Sequence, residues 1–145
     1  MDTNRLDAQD ITQRLVVGLR TPDGVSIPLL VELSYTASDP YAVRLAFHPD
    51  DSPVRWDFAR DLLSDGLLEP VGDGDVHVWS CLDHEGVAVL SVELCSPYGD
   101  AMVEILLPDA VEFVDRMHAV VRPGDESAHV DLDAIVSAIY AAENV

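Results

Sequence analysis

The side chains able to do chemistry are numerous but of few kinds: 27 acids stand against eight arginines, five histidines and two cysteines, with no lysine. His77, Cys81 and His84 come nearest to metal-ligand spacing. His77 and Cys81 share one face of a strand. His84 falls in the following turn, however, and no fourth ligand is evident, so the reading is surface histidines and a core thiol. His84-Glu85 begins like a zinc-protease helix, but Ala88 stands where the second histidine belongs. Gly72-x-Gly74 has no lysine to complete a phosphate-binding loop. Asp73 and Asp75 flank a glycine but fall short of a calcium loop, and are read as turn residues capping local amides. No Gly-x-Ser-x-Gly elbow occurs. These residues point to no enzyme, no cofactor and no metal. Arg44, Arg55 and Arg60 lie among Tyr41, Trp56 and Phe58. Basic residues interleaved with aromatics suit stacking on single-stranded nucleic acid. The preferred reading is that the aromatics alternate into the core while the arginines pair with local acids such as Asp57 and Asp61.

The elements holding these residues follow from hydrophobic period. Tyr41, Val43, Leu45 and Phe47 alternate with Ala42, Arg44, Ala46 and His48, which predicts a half-buried strand over 41–48 opened by the Asp39-Pro40 turn. Before it, Leu15, Val17 and Leu19, then Ile27 through Tyr35, alternate as a hairpin around Pro22-Asp23-Gly24. Residues 1–11 are polar and read as frayed. Val54, Trp56 and Phe58 continue as a fourth strand, and 59–65 suit a short helix closed by Gly66 at its C-terminal end. Gly72-Asp73-Gly74-Asp75 reads as a tight turn. Two strands follow over 75–82 and 87–95, then a seventh with Ala101, Val103, Ile105 and Leu107.

If the 75–95 hairpin centres on 84–85, Cys81 faces position 88 and Cys95 faces position 74, too far apart for a disulfide. The period then changes. Pro108-Asp109 opens a helix with a stripe of Ala110, Phe113, Val114, Met117 and Val121. Asp131 caps a last helix with a stripe of Leu132, Ile135, Val136, Ile139 and Tyr140. The expected fold is α+β: a curved antiparallel sheet of about seven strands, one short inserted helix, and two C-terminal helices packed against it.

The 145 residues make a single domain, and 48% hydrophobic content is enough for an ordinary core. No apolar run approaches the roughly 18 residues that span a bilayer. The start, Met1 to Asp7, carries acids rather than an apolar secretory segment, so the chain is read as cytoplasmic. Net charge is −19, and residues 73–145 hold 15 acids against two arginines. Such a field repels nucleic-acid backbones and anionic lipid heads, and favours partners with basic, neutral or apolar surfaces.

From Asp39-Pro40-Tyr41-Ala42-Val43-Arg44-Leu45 onward, the chain resembles the SsgA-like proteins, small acidic regulators of sporulation-specific cell division in filamentous actinomycetes. The likeness continues through Trp56, Phe58, Arg60-Asp61-Leu62-Leu63, Gly66 and Gly72-Asp73-Gly74-Asp75. It is preceded by Pro28-Leu29-Leu30-Val31-Glu32-Leu33 with Tyr35, and returns at Phe113-Val114-Asp115-Arg116. It covers roughly residues 26–126.

The resemblance implies a non-catalytic adaptor that promotes or positions septum formation. It is recruited from the cytoplasm to the septum without inserting into the membrane. Its implied partners are the tubulin-like division GTPase or the septal wall machinery. It also implies a homotrimer with a fold similar to the whirly class of single-stranded nucleic-acid binders. No catalytic motif carries over. By position, Tyr41, Arg44, Trp56, Arg60 and Asp61 are the shared structural or contact residues, with core packing and local ion pairs preferred over direct partner contact. The alternatives are a whirly-type nucleic-acid-binding module, which needs a basic groove, and an enzyme using an acid-based site. The branch of the family stays open.

Overall fold

The computed structural model describes residues 10–130 and 132–143. The expected fraying is outside the described residues as far as residue 9, as is the Asp131 cap. Asp10 and Ile11 already belong to a strand, and Ile11 is buried.

Among the described residues one sheet has eight strands: β1 (Asp10–Arg20), β2 (Ser26–Thr36), β3 (Ala42–Phe47), β4 (Val54–Ala59), β5 (Val71–Asp73), β6 (Val76–Leu82), β7 (Ala88–Ser96) and β8 (Gly99–Leu106). All neighbours are antiparallel, in the order β4-β3-β2-β1-β8-β7-β6-β5. The additional strand is β5. At three residues it is too short to show a period, so its Gly72 and Asp73 read as turn. The helices are α1 (Arg60–Gly66), α2 (Leu107–Val120) and α3 (Leu132–Glu143), with a 3-10 turn at Glu126–His129.

Two four-strand meanders make up this sheet. They join at a narrow seam, where β1 meets β8 over Gly18↔Glu104, Leu19↔Val103 and Arg20↔Met102. Two hairpin loops have the same design. Thr21 N–H bonds the Val25 carbonyl and Asp83 N–H the Val87 carbonyl, each at 2.8 Å. Gly24 and Gly86 supply the left-handed residue such a three-residue loop requires, at φ 85° and 82°. The second loop shifts the β6–β7 pairing by one residue from the expected register. Cys81 therefore opposes Val89, and the Cys95 amide bonds the Asp75 carbonyl. Both thiols are free.

The concave face carries the core: Leu15, Val17, Val31, Leu33, Val43, Leu45, Val78, Leu90, Val92, Val103 and Ile105 are all buried. The α2 stripe packs into it, with Ala110, Phe113, Val114, Met117 and the following Val121 buried as the spacing predicts. Gly66 acts differently from expectation. It lies inside α1 rather than capping it, and a Cβ there would stand 2.3 Å from Val78 Cγ1. The glycine allows helix and strand to touch.

Candidate interaction site

The two ends of the curled sheet have opposite characters. One end is closed by α1, α2 and a buried arginine. Arg60, only 1% exposed, uses all five of its N–H groups. Nη1 donates to Tyr35 Oη at 3.1 Å and the Val121 carbonyl at 2.8 Å. Nη2 donates to the Arg122 carbonyl at 3.1 Å and Glu126 Oε2 at 2.9 Å, and Nε donates to the same oxygen at 3.3 Å. The guanidinium carbon also sits 5.4 Å from the Tyr35 ring centre. Tyr35 in turn donates to the Pro40 carbonyl at 2.9 Å, and burial pushes its hydroxyl pKa up. The Glu126 carboxylate is held below its ordinary range, first by its own backbone N–H and then by Arg60. His118 is pushed down by burial and then by the Arg60 charge.

This corrects the expectation that Arg60 pairs with a local acid. Its partner is Glu126, 66 residues further along the chain. The buried charge needs an anion and two carbonyls in fixed positions. The segment after α2 supplies them, whereas Asp61 points to solvent from α1. Glu126 and Tyr35 are members of this network whose part in it sequence reasoning passed over. A signal existed: Arg60, Leu63 and Leu67 recur at helical spacing, which puts the arginine on the core-facing stripe of α1.

The other end is open. Leu19, Leu29, Phe47, Val54, Trp56 and Leu94 surround a mouth of about 290 Å³. No helix plugs it. Val54 is half exposed, as is Ile27 nearby on β2, and Tyr98 stands free at the tip of the β7–β8 turn. A second apolar hollow opens on the outside at the start of α2, lined by Ala88, Leu107, Pro108 and Val111. The third apolar surface is α3. Its described side chains are all exposed, including Ile135 at 48%, Val136 at 47%, Ile139 at 54% and Tyr140 at 62%. The stripe expected to pack on the sheet therefore faces solvent.

The five residues singled out by sequence do not converge. Tyr41 precedes β3 rather than starting it. It is half exposed, and its carbonyl accepts the Arg60 N–H at 2.8 Å where the β3–β4 ladder ends. Arg44 lies on the convex face, bonded through two nitrogens to Asp57 at 2.8 and 3.0 Å, as expected for a local pair. That bond is the main reason the Asp57 pKa is lowered. Arg44 and Asp57 border a hollow of about 250 Å³ with Asp10, Thr12, Ser34 and Asp39. Trp56 lines the open mouth, Arg60 is interior, and Asp61 is at the surface. Phe58 does alternate into the core. His77, Cys81 and His84 are not gathered. Cys81 sits against Ser91 at 3.4 Å and His84 against Arg20 at 3.2 Å, while His77 contacts Glu93.

No helix among the described residues is long and apolar enough to cross a membrane. Among those residues every buried side-chain nitrogen and oxygen has a hydrogen-bond partner.

Residues 29–126 match the family model described as Streptomyces sporulation and cell division protein, SsgA. The chain is similar to the sporulation-specific cell division protein SsgB of Streptomyces coelicolor, with 43% identity over 129 residues covering 88% of this chain and 90% of that one. It is 38% identical to the SsgB of Thermobifida fusca over 128 residues, 88% of this chain and 92% of the relative. The crystal structure of an SsgA-like sporulation-specific cell division protein from Thermobifida fusca superposes with a TM-score of 0.78 at 38% identity, covering 88% of this chain and 93% of that one. A structure from work on SsgB mutations and longitudinal cell division during sporulation of Streptomyces coelicolor gives a TM-score of 0.76 at 39% identity, over 83% and 94%.

Proposed function

Since this chain belongs to the SsgA family of sporulation and cell division proteins, we propose that it is a non-catalytic adaptor of sporulation-specific cell division. It promotes or positions septum formation through protein–protein contacts with the tubulin-like division GTPase or the septal wall machinery. The observation that carries this reading is α3, a helix whose Ile135, Val136, Ile139 and Tyr140 are held in solvent. A twelve-residue helix is marginal in water without tertiary packing, so a partner surface is its natural complement.

Magnitudes decide how such a partner docks. Fully burying an aliphatic or aromatic side chain yields about 1.5–3 kcal/mol. Four side chains already half covered therefore contribute on the order of 4 kcal/mol. Association costs at least about that much in lost freedom. The α3 stripe alone is too little, so docking must also recruit other apolar surface, such as the Trp56 mouth or the hollow at the start of α2. Self-assembly as a homotrimer belongs to the same reading, because three copies would cover apolar faces that one sheet leaves open. The charge of −19 selects basic or apolar partners over anionic ones. Septal recruitment is thus through protein, without membrane insertion.

The test is co-sedimentation with the tubulin-like division GTPase polymerised with GTP, at two salt concentrations. Saturable pelleting at a fixed ratio supports the reading. A folded protein that stays in the supernatant at both salts counts against the GTPase as partner. Light scattering checks the assembly: a trimer mass is expected, and a monomer mass at micromolar concentration overturns that part.

A further inference from the structure

On the convex face of the second meander, three different metal-binding atoms converge. His77 on β6 and Glu93 on β7 are cross-strand partners, with Nδ1 and Oε1 3.4 Å apart. Cys95 follows Glu93 by two residues on the same face, and the three ligand atoms lie within 4.8 Å of one another. Asp100 on β8 stands opposite Cys95 in the ladder, outside that group of three but placed to turn in as a fourth donor. We propose that His77, Glu93, Cys95 and Asp100 form a binding site for a borderline divalent transition-metal ion, zinc being the ion the donor set fits.

The chemistry of the donors carries this. One imidazole, one thiolate and two carboxylates form a four-coordinate nitrogen, sulfur and oxygen set, suited to zinc rather than to calcium or magnesium. With metal–nitrogen and metal–oxygen bonds of about 2.0–2.1 Å, a tetrahedron has a nitrogen–oxygen edge of about 3.3 Å. The 3.4 Å separation of His77 and Glu93 already matches it. Both side chains are partly open to solvent, so an ion has an approach. Binding releases the Cys95 thiol proton to water and leaves a thiolate on the metal.

Gly72 argues that the histidine is seated. It pairs with His77 across β5 and β6, and a Cβ on it would stand 2.3 Å from His77 Cδ2 and 3.0 Å from Nε2. The bare backbone lets the ring lie over β5 with Nδ1 turned toward β7. The site would tie β6, β7 and both arms of the β7–β8 turn together. Ser96 and Gly99 of that turn line the open mouth, so metal binding would stiffen its rim.

The experiment is a titration of the reduced full-length protein with cobalt(II) as a spectroscopic stand-in for zinc. The expected result is tetrahedral ligand-field bands with a thiolate-to-cobalt charge-transfer band, saturating at one ion per chain and displaced by zinc. Cys95→Ser should abolish the charge-transfer band, and Cys81→Ser should leave it unchanged. Gly72→Ala removes no ligand but displaces the ring, and should weaken binding at least about tenfold. Zinc should raise the melting temperature of the parent protein but not of Cys95→Ser. Absence of the charge-transfer band overturns the proposal, as does a band that survives Cys95→Ser or is lost in Cys81→Ser.

Discussion

The closed and open ends of the sheet use the same strands and solve opposite problems. At the closed end, Tyr35, Phe58, Leu63, Phe113 and Met117 are buried around Arg60, and each N–H of that arginine is spent. At the open end the same strands continue into Leu29, Val54 and Trp56, and the core runs out into water. A buried guanidinium is tolerated only where everything it faces is fixed, so the closed end tolerates little change. The open end can be covered by another molecule without rearranging the fold. The first region fixes its side chains from every direction, and the second leaves apolar side chains in water.

The sharpest way to break this contrast is Arg60→Ala. It removes the anchor for Val121, Arg122 and Glu126 and leaves a buried cavity. Loss of one partner from a buried pair costs about 3–5 kcal/mol. At about 2–4 °C per kcal/mol for a chain of this size, the melting temperature should fall by roughly 10 °C or more. Arg60→Lys should rescue little, because a point ammonium has three donors where this site uses five. Calorimetry checks both, and a melting temperature unchanged by Arg60→Ala would remove the basis of the contrast.

Gly66→Ala comes next. Alanine suits a helix better by about 1 kcal/mol, but the new methyl meets Val78, which is fully buried and has nowhere to go. Overpacking of this kind costs about 1–3 kcal/mol, so a net loss in urea unfolding is expected.

A smaller, pH-dependent effect follows from Glu126. Its carboxyl is held below the ordinary glutamate value in the folded state. The stability it contributes is therefore complete above that ordinary value, and is lost as pH falls through the lowered folded value. Glu126→Gln should lower the melting temperature at neutral pH and flatten its decline in acid. The smallest effect is expected at the surface: Arg44→Ala breaks an exposed pair with Asp57 and should leave the melting curve unchanged.

Most of the framework was legible because it rests on period. β2 and β3 alternate cleanly, and the α2 stripe recurs at helical spacing, so burial follows pattern there. The pattern failed where tertiary contacts override it. β5 is a strand only because β6 lies beside it. Gly66 looks like a helix cap but exists for a close approach to Val78. The Arg60 partner lies beyond α2, a pairing that no local spacing encodes. In α3 the period is correct and the inference from it was not: an amphipathic stripe predicts that something covers it, not that the same chain does. The five candidate residues scattered for a related reason. Sharing a stretch of sequence placed Arg44, Trp56 and Arg60 on the outer face, the inner mouth and the interior of one continuous run of chain.

Under the proposed function, the exposed apolar surface, and not the Arg60 network, acts in division. The most direct measurement is the count of sporulation septa in an actinomycete lacking its own copy of the gene, complemented with Val136→Asp/Ile139→Asp. The account predicts a protein that melts with the parent and accumulates normally, yet fails to restore septa. Normal septation by that variant would contradict it.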